Sequence, residues 1–145
     1  GQVERLKDVV ARLQDAGLIV SAFIDAEPRQ IEAAQTCGFQ VCEIHTGPYA
    51  HAFYHHGRDA RSKAVVDELE KIRIVGKLIG ECGMRFNAGH ALNYFNVQPI
   101  AALLDLRELH IGHSIVSRAI FVGIRQAVAD MKALMREAAA NAPTR

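Results

Sequence analysis

The chain has 145 residues, half of them hydrophobic, with 17 basic against 16 acidic side chains for a formal charge of +1. That length and apolar content suit one domain with its own core. The evenly mixed charge excludes the basic stripe of a nucleic-acid surface, and the short, charge-broken apolar runs exclude a membrane-spanning helix.

The three cysteines, Cys37, Cys42 and Cys82, have no CxxC spacing and lie in apolar surroundings. They fit a reducing, cytoplasmic setting better than a disulfide framework or a zinc ribbon. The first residues carry no signal-peptide h-region and read as the inside of a helix.

In chain order, Val3, Leu6, Val10 and Leu13 recur at helical spacing through residues 2–16, and Gly17 supplies a stop. Residues 18–24 form an apolar run ending at Asp25, as expected of a strand buried on both faces of a parallel sheet. Pro28 suits a first helical turn, and Ile31, Ala34 and Cys37 mark a short helix closed by Gly38. Residues 39–44 read as the next strand, followed by His45-Thr46-Gly47.

The rhythm then breaks. Residues 48–57, rich in Tyr, Phe and His, are expected as a loop insert on the face where a parallel strand ends. A long helix follows from about Asp59 to Glu81, with Val65, Leu69, Ile72, Val75 and Ile79 on its buried stripe. Met84 to His90 is the third strand. Asn96 is placed to cap a short helix carrying Val97, Ile100, Ala101 and Leu104. Glu108 to Gly112 is the fourth strand, and Ser114 is placed to cap one final helix with Ile115, Val122, Val128, Met131 and Met135 on its apolar side. The tail, residues 141–145, is expected to fray.

A helix followed by four strand–helix units, without hairpin signals, implies a parallel sheet with right-handed crossovers. Such a unit is half of an eight-stranded barrel or a small open sheet. Polar residues at every strand end favour the barrel, which collects them on one face.

Those strand ends present Asp25, then Glu43 and His45, then Asn87 and His90, then His113. Alternation puts Glu43 and His45 on the same side of their strand, where a carboxylate beside an imidazole supports proton transfer. The bland alternative is that each polar residue only satisfies loop backbone. Gly112-His113-Ser114, where a strand gives way to a helix, is an ordinary helix start by default, but its free N–H groups can hold phosphate. The matching Gly89-His90 one loop earlier strengthens the second reading.

His51, His55 and His56 have partial metal-ligand spacing but lack a matching carboxylate, and with Tyr49, Phe53 and Tyr54 they read better as a lid or interface. Arg58, Arg61 and Lys63 read as a solvated helix start, Cys42 as a packed thiol, and Met131, Leu134 and Met135 as core or subunit contact.

Four segments together carry a resemblance: Phe23-Ile24-Asp25, the run from Glu43 to Ala50, Asn87-Ala88-Gly89-His90, and the run from Ile111 to Ala119. In order and spacing they resemble the pyridoxine 5′-phosphate synthase family, which closes the vitamin B6 ring from 1-deoxy-D-xylulose 5-phosphate and 3-amino-2-oxopropyl phosphate. The resemblance implies a (β/α)₈ TIM barrel, a homo-octamer, and no metal or organic cofactor. It implies His90 as proton donor and Glu43 as the carboxylate that stabilises the transition state. Ala91, Gly112 and His113 would hold the phosphate of the amino ketone.

The chain departs from the family pattern at Ala91, where glycine is usual, and at His110, where asparagine is common. The residues matching the family's first four strands, with another general-base histidine, a catalytic glutamate and most of the ketose phosphate site, are not in this sequence. Residues 1–145 are therefore expected to be the carboxyl-terminal half of one barrel domain, beginning within the fourth barrel helix. Alone, the chain is expected to bind phosphate weakly without turnover and to leave two edge strands and an apolar inner face unpaired. The rival readings are a phosphosugar isomerase or aldolase-like half barrel that reuses the phosphate loops, and a non-catalytic binding or assembly module.

Overall fold

The computed structural model describes residues 2–142. Its elements are α1 (Gln2–Asp15), β1 (Ser21–Ile24), α2 (Pro28–Cys37), β2 (Val41–His45), α3 (Gly47–His55), α4 (Lys63–Glu81), β3 (Arg85–Gly89), α5 (Val97–Ala101), β4 (Leu106–His110), α6 (His113–Val122) and α7 (Ile124–Ala140). The strands form one parallel sheet in the order β1-β2-β3-β4, the arrangement that successive βα units produce. This much matches the expected α/β class and parallel four-stranded sheet.

One face of the sheet is the core. Ala22, Cys42, Ile44, Phe86 and Ala88 point into it and meet Ile31 and Ala34 of α2 and Val65, Ile72, Val75 and Ile79 of α4, all buried. Gly76 lets α4 come close, since a Cβ there would lie 2.5 Å from the Phe86 ring. Cys42 is fully buried, its Sγ donates to Met84 Sδ at 3.6 Å, and burial pushes its thiol up to about 11. It is a packed thiol.

The opposite face carries the alternate residues. Register places Phe23, Glu43, Asn87 and Glu108 in one row, and His45, Gly89 and His110 in the row nearer the strands' carboxyl ends. An irregularity between Phe86 and Asn87 pairs them with Leu106 and Glu108, so Arg107 is the extra residue that brings Glu108 and His110 onto this face. The face is thus mostly polar, not the apolar inner face expected. The period-2 pattern of β2 and β4 puts their charged residues there.

Four local expectations are corrected. Residues 48–55 of the expected loop insert belong to helix α3, with Pro48 in its first turn and Tyr49, Ala50 and Phe53 buried. Burial of one aromatic face makes a helix of a segment whose composition resembles a loop. The final helix is two, because Gly123 (φ 80, ψ 151) leaves the helical region and lets α7 pack on both α5 and α6.

Neither expected cap forms. Asn96 Oδ1 accepts from the Asn93 N–H and its Nδ2 donates to Ala91 O, closing the loop before α5. Ser114 Oγ donates to Leu92 O across to that same loop. At the end of the chain, Asn141 follows α7, while 143–145 of the tail expected to fray lie outside the described residues.

Candidate functional site

The strand ends meet in a cavity of about 720 Å³ lined by Phe23, Glu43, His90 to Asn93 and His110 to Ser114. All five residues singled out from the sequence, Glu43, His90, Ala91, Gly112 and His113, border it. They come from β2, the loop after β3 and the start of α6, so the parallel order alone draws them to one end of the sheet.

The loop after β3 is held in an unusual backbone state. His90 and Ala91 both have positive φ, 82 and 57. Thr46, fully buried at the start of α3, fixes this turn: its hydroxyl lies 2.6 Å from both Gly89 O and His90 O, and its N–H donates to Gly89 O. Tyr49 OH donates to Asn96 O and Ser114 Oγ to Leu92 O, so the loop is tied at its far end as well. Burial pushes the Tyr49 hydroxyl's pKa up. That positive φ is one glycine takes freely, and Ala91 adopts it despite its Cβ.

Glu43 and His45 share a side of β2 as expected, but they do not serve each other. His45 Nδ1 lies 3.0 Å from Asp25 Oδ1 on β1's carboxyl side, and its ring packs edge-on against His90 at 4.7 Å between centroids. Phe23 flanks both rings. Glu43 Oε2 instead lies 2.6 Å from His110 Nδ1, two strands away. The Glu43 hydrogen bond, aided by Glu108, raises the His110 pKa above the ordinary imidazole value.

The network runs on from there. His110 Nε2 faces Glu108 Oε2 at 3.5 Å, and Asn87 Nδ2 donates to that oxygen at 3.3 Å. Asn87 itself is buried, and its Oδ1 has no hydrogen-bond partner among the described residues.

Gly112 precedes α6, whose first-turn N–H groups have no acceptor within the helix. They open on the cavity between His113 and the His90 loop, a placement suited to an anion. The site can therefore offer a proton through imidazole, stabilise positive charge with a carboxylate, and hold a phosphate on backbone.

The other candidates do not line this cavity, although His51, His55, His56 and Arg58 line a larger neighbouring one that shares His90, Ala91, Asn93, His113 and Ser114 with it. The rings of His51 and His55 of α3 lie 4.1 Å apart, tilted by 45°, and no cluster of three or more His, Cys, Asp or Glu suited to a metal occurs among the described residues. Arg58 lies near the rings of Tyr54 and Phe95, Arg61 pairs with Asp59, and Lys63 pairs with Asp67. Met131 is buried on α7. Sequence reasoning passed over Thr46 and the inward face of Glu108. The first had a signal in its place directly after a strand end, whereas the second depends on the β4 irregularity.

Comparison with known proteins follows the same line. A family described as pyridoxal phosphate biosynthesis protein PdxJ matches residues 1–137. Proteins named pyridoxine 5′-phosphate synthase are similar throughout: one from Azoarcus sp. is 69% identical over 139 residues, covering 96% of this chain and 56% of the relative. One from Dechloromonas aromatica is 67% identical over 138 residues, 95% of this chain and 55% of the relative. A more distant one from Rhodopirellula baltica is 48% identical over 135 residues, 93% and 52%. The chain spans about half the length of the curated relatives it matches.

Proposed function

This chain belongs to the PdxJ family of pyridoxal phosphate biosynthesis proteins, and from that premise we propose that its cavity is part of a pyridoxine 5′-phosphate synthase active site. The reaction joins 3-amino-2-oxopropyl phosphate to 1-deoxy-D-xylulose 5-phosphate. The observation that carries the reading is that Glu43, His90, Ala91, Gly112 and His113 border one cavity.

Condensing an amine with a ketone expels water, and hydroxide leaves readily only when an acid protonates it. His90 is that acid, presented to the cavity by a loop that Thr46 pins. The positive charge that develops on nitrogen is offset by the Glu43 carboxylate. The amino ketone's phosphate rests on the N–H groups of Ala91, Gly112 and His113, which fixes the amine against the other substrate.

The proposal includes a complete (β/α)₈ barrel. Among the described residues, β1 and β4 each have a sheet neighbour on one side only. Beside them, apolar side chains are exposed: Val3, Leu6, Val9 and Leu13 on α1, Leu18 and Ile19 before β1, and Val116, Ile120 and Phe121 on α6. Four further βα units would pair both edges and cover that surface. Assembly into a homo-oligomer, an octamer by the family resemblance, belongs to the same proposal. None of the described helices is long and apolar enough to cross a membrane.

Two measurements test it. Inorganic phosphate titrated into this chain should shift the amide resonances of Ala91, Gly112 and His113 before others, and no shift there removes the anion site. In the assembled enzyme, supplied with both phosphates, His90→Ala should abolish product formation. A His90→Ala enzyme that still closes the ring at the parent rate overturns the assignment.

A further inference from the structure

We propose that His110 is a positioning residue for this site, holding the Glu43 carboxylate against Gly89 and placing a positive charge behind it. The inference rests on the reading that Glu43 acts on the substrate.

Glu43 is a long side chain on a β-strand, with three torsions to fix before its carboxylate has one place. Both its oxygens are accounted for. Oε2 takes the Nδ1 hydrogen of His110 at 2.6 Å, a short charge-assisted bond. Oε1 occupies the space that a Cβ on Gly89 would fill. The Glu43 side chain is 18% exposed and the His110 ring 45%, so the carboxylate is held in a partly sheltered place while solvent reaches the imidazole.

His110 is itself aimed by the sheet. It pairs with Gly89 in register, on the face that Glu43 shares, and the irregularity at Arg107 sets that face. The titratable groups facing it are Glu43 from β2, Glu108 from its own strand at 3.5 Å, and His90 and His113 around the same cavity. Asn87 on β3 adds a neutral amide that donates to Glu108. Two carboxylates against one imidazole favour the imidazolium, and the upward shift of its pKa agrees.

The two duties of His110 are separable. Nδ1–H can hold Glu43 whether the ring is charged or neutral, provided the neutral tautomer keeps that proton. Only the imidazolium offers a charge and a second donor toward Glu108. Asparagine, common at this position in the family, would offer the donor without the charge. His110→Asn therefore removes the charge and keeps a donor, whereas His110→Ala removes both.

The test has two arms. In the isolated chain, imidazole NMR should show His110 keeping its second proton to higher pH than a free imidazole, and Glu43→Gln should return it toward the ordinary value. In the assembled enzyme, His110→Ala should lower kcat by up to about 10²-fold with a much smaller change in KM, the signature of a displaced reacting group. His110→Asn should restore most of kcat while moving the alkaline limb of the pH profile. A folded His110→Ala enzyme with the parent kcat and pH profile overturns the proposal, as does a His110 titration that ignores Glu43→Gln. If the assembled parent enzyme forms no product, the synthase assignment fails, while the NMR arm still decides whether the pair exists.

Discussion

The carboxylate of Glu43 lies where a side chain on Gly89 would have to go. A Cβ built on Gly89 meets Glu43 Oε1, and it also comes within 2.9 Å of His110 O. Gly89 is buried mid-sheet and has ordinary backbone angles, so the need is for space. Gly89→Ala is expected to destabilise the fold by roughly 1–3 kcal/mol through overpacking. Urea denaturation measures this. An unchanged midpoint would mean that Glu43 swings aside freely and is not held.

Thr46 is the second anchor of the site. Its hydroxyl sits 2.6 Å from two carbonyl oxygens, those of Gly89 and His90, and the residue is fully buried. Valine has the same shape but no donor, so Thr46→Val leaves the buried Gly89 O and the part-buried His90 O without that hydroxyl. The expected cost is about 1–3 kcal/mol. Thermal unfolding checks the energy, and amide exchange at His90 and Ala91 checks the loosening, which should be local.

Much of this was legible in the sequence because a parallel sheet has a strong rule. Strand ends gather at one face, so Glu43, His90 and His113 could be grouped from the chain alone. Their partners could not. Which carboxylate serves which imidazole depends on cross-strand register, and the bond from Asp25 to His45 joins residues on successive units. The Glu43–His110 bond spans two strands and depends on one irregularity at Arg107. Helix α3 was hidden for a different reason: its stability comes from burying Tyr49 and Phe53 against the core, a tertiary effect that its composition does not announce.

Ala91 tests the cost of a departure from glycine. Its φ of 57 is in the left-handed region, while its Asn96-bonded carbonyl fixes the turn. A non-glycine residue there carries roughly 1–2 kcal/mol of strain, against a gain of about 0.4–1 kcal/mol from a less flexible unfolded chain. The first is larger, so Ala91→Gly should stabilise the fold by up to about 1.5 kcal/mol. Phosphate affinity should hold or improve, since a backbone N–H is the contacting group in either case. Denaturation with and without inorganic phosphate separates the two effects. A less stable Ala91→Gly protein would mean that the surrounding loop has absorbed the strain.

The Glu43–His110 pair also predicts how stability follows pH. Its folded-state pKa is raised, so the folded protein holds the His110 proton more tightly than the unfolded chain does. The stabilisation is complete below the ordinary imidazole value of 6.5 and disappears as pH rises through the higher folded value. Above both values neither state holds that proton, and the contribution is gone. The imidazole side chain is 45% exposed, so solvent screens the pair and the effect stays small. The difference between the parent and Glu43→Gln isolates the pair, because every other side chain is common to both. Urea midpoints taken from pH 6 upward should show that difference shrinking with rising pH, and a difference that stays constant or grows would contradict the charged pair.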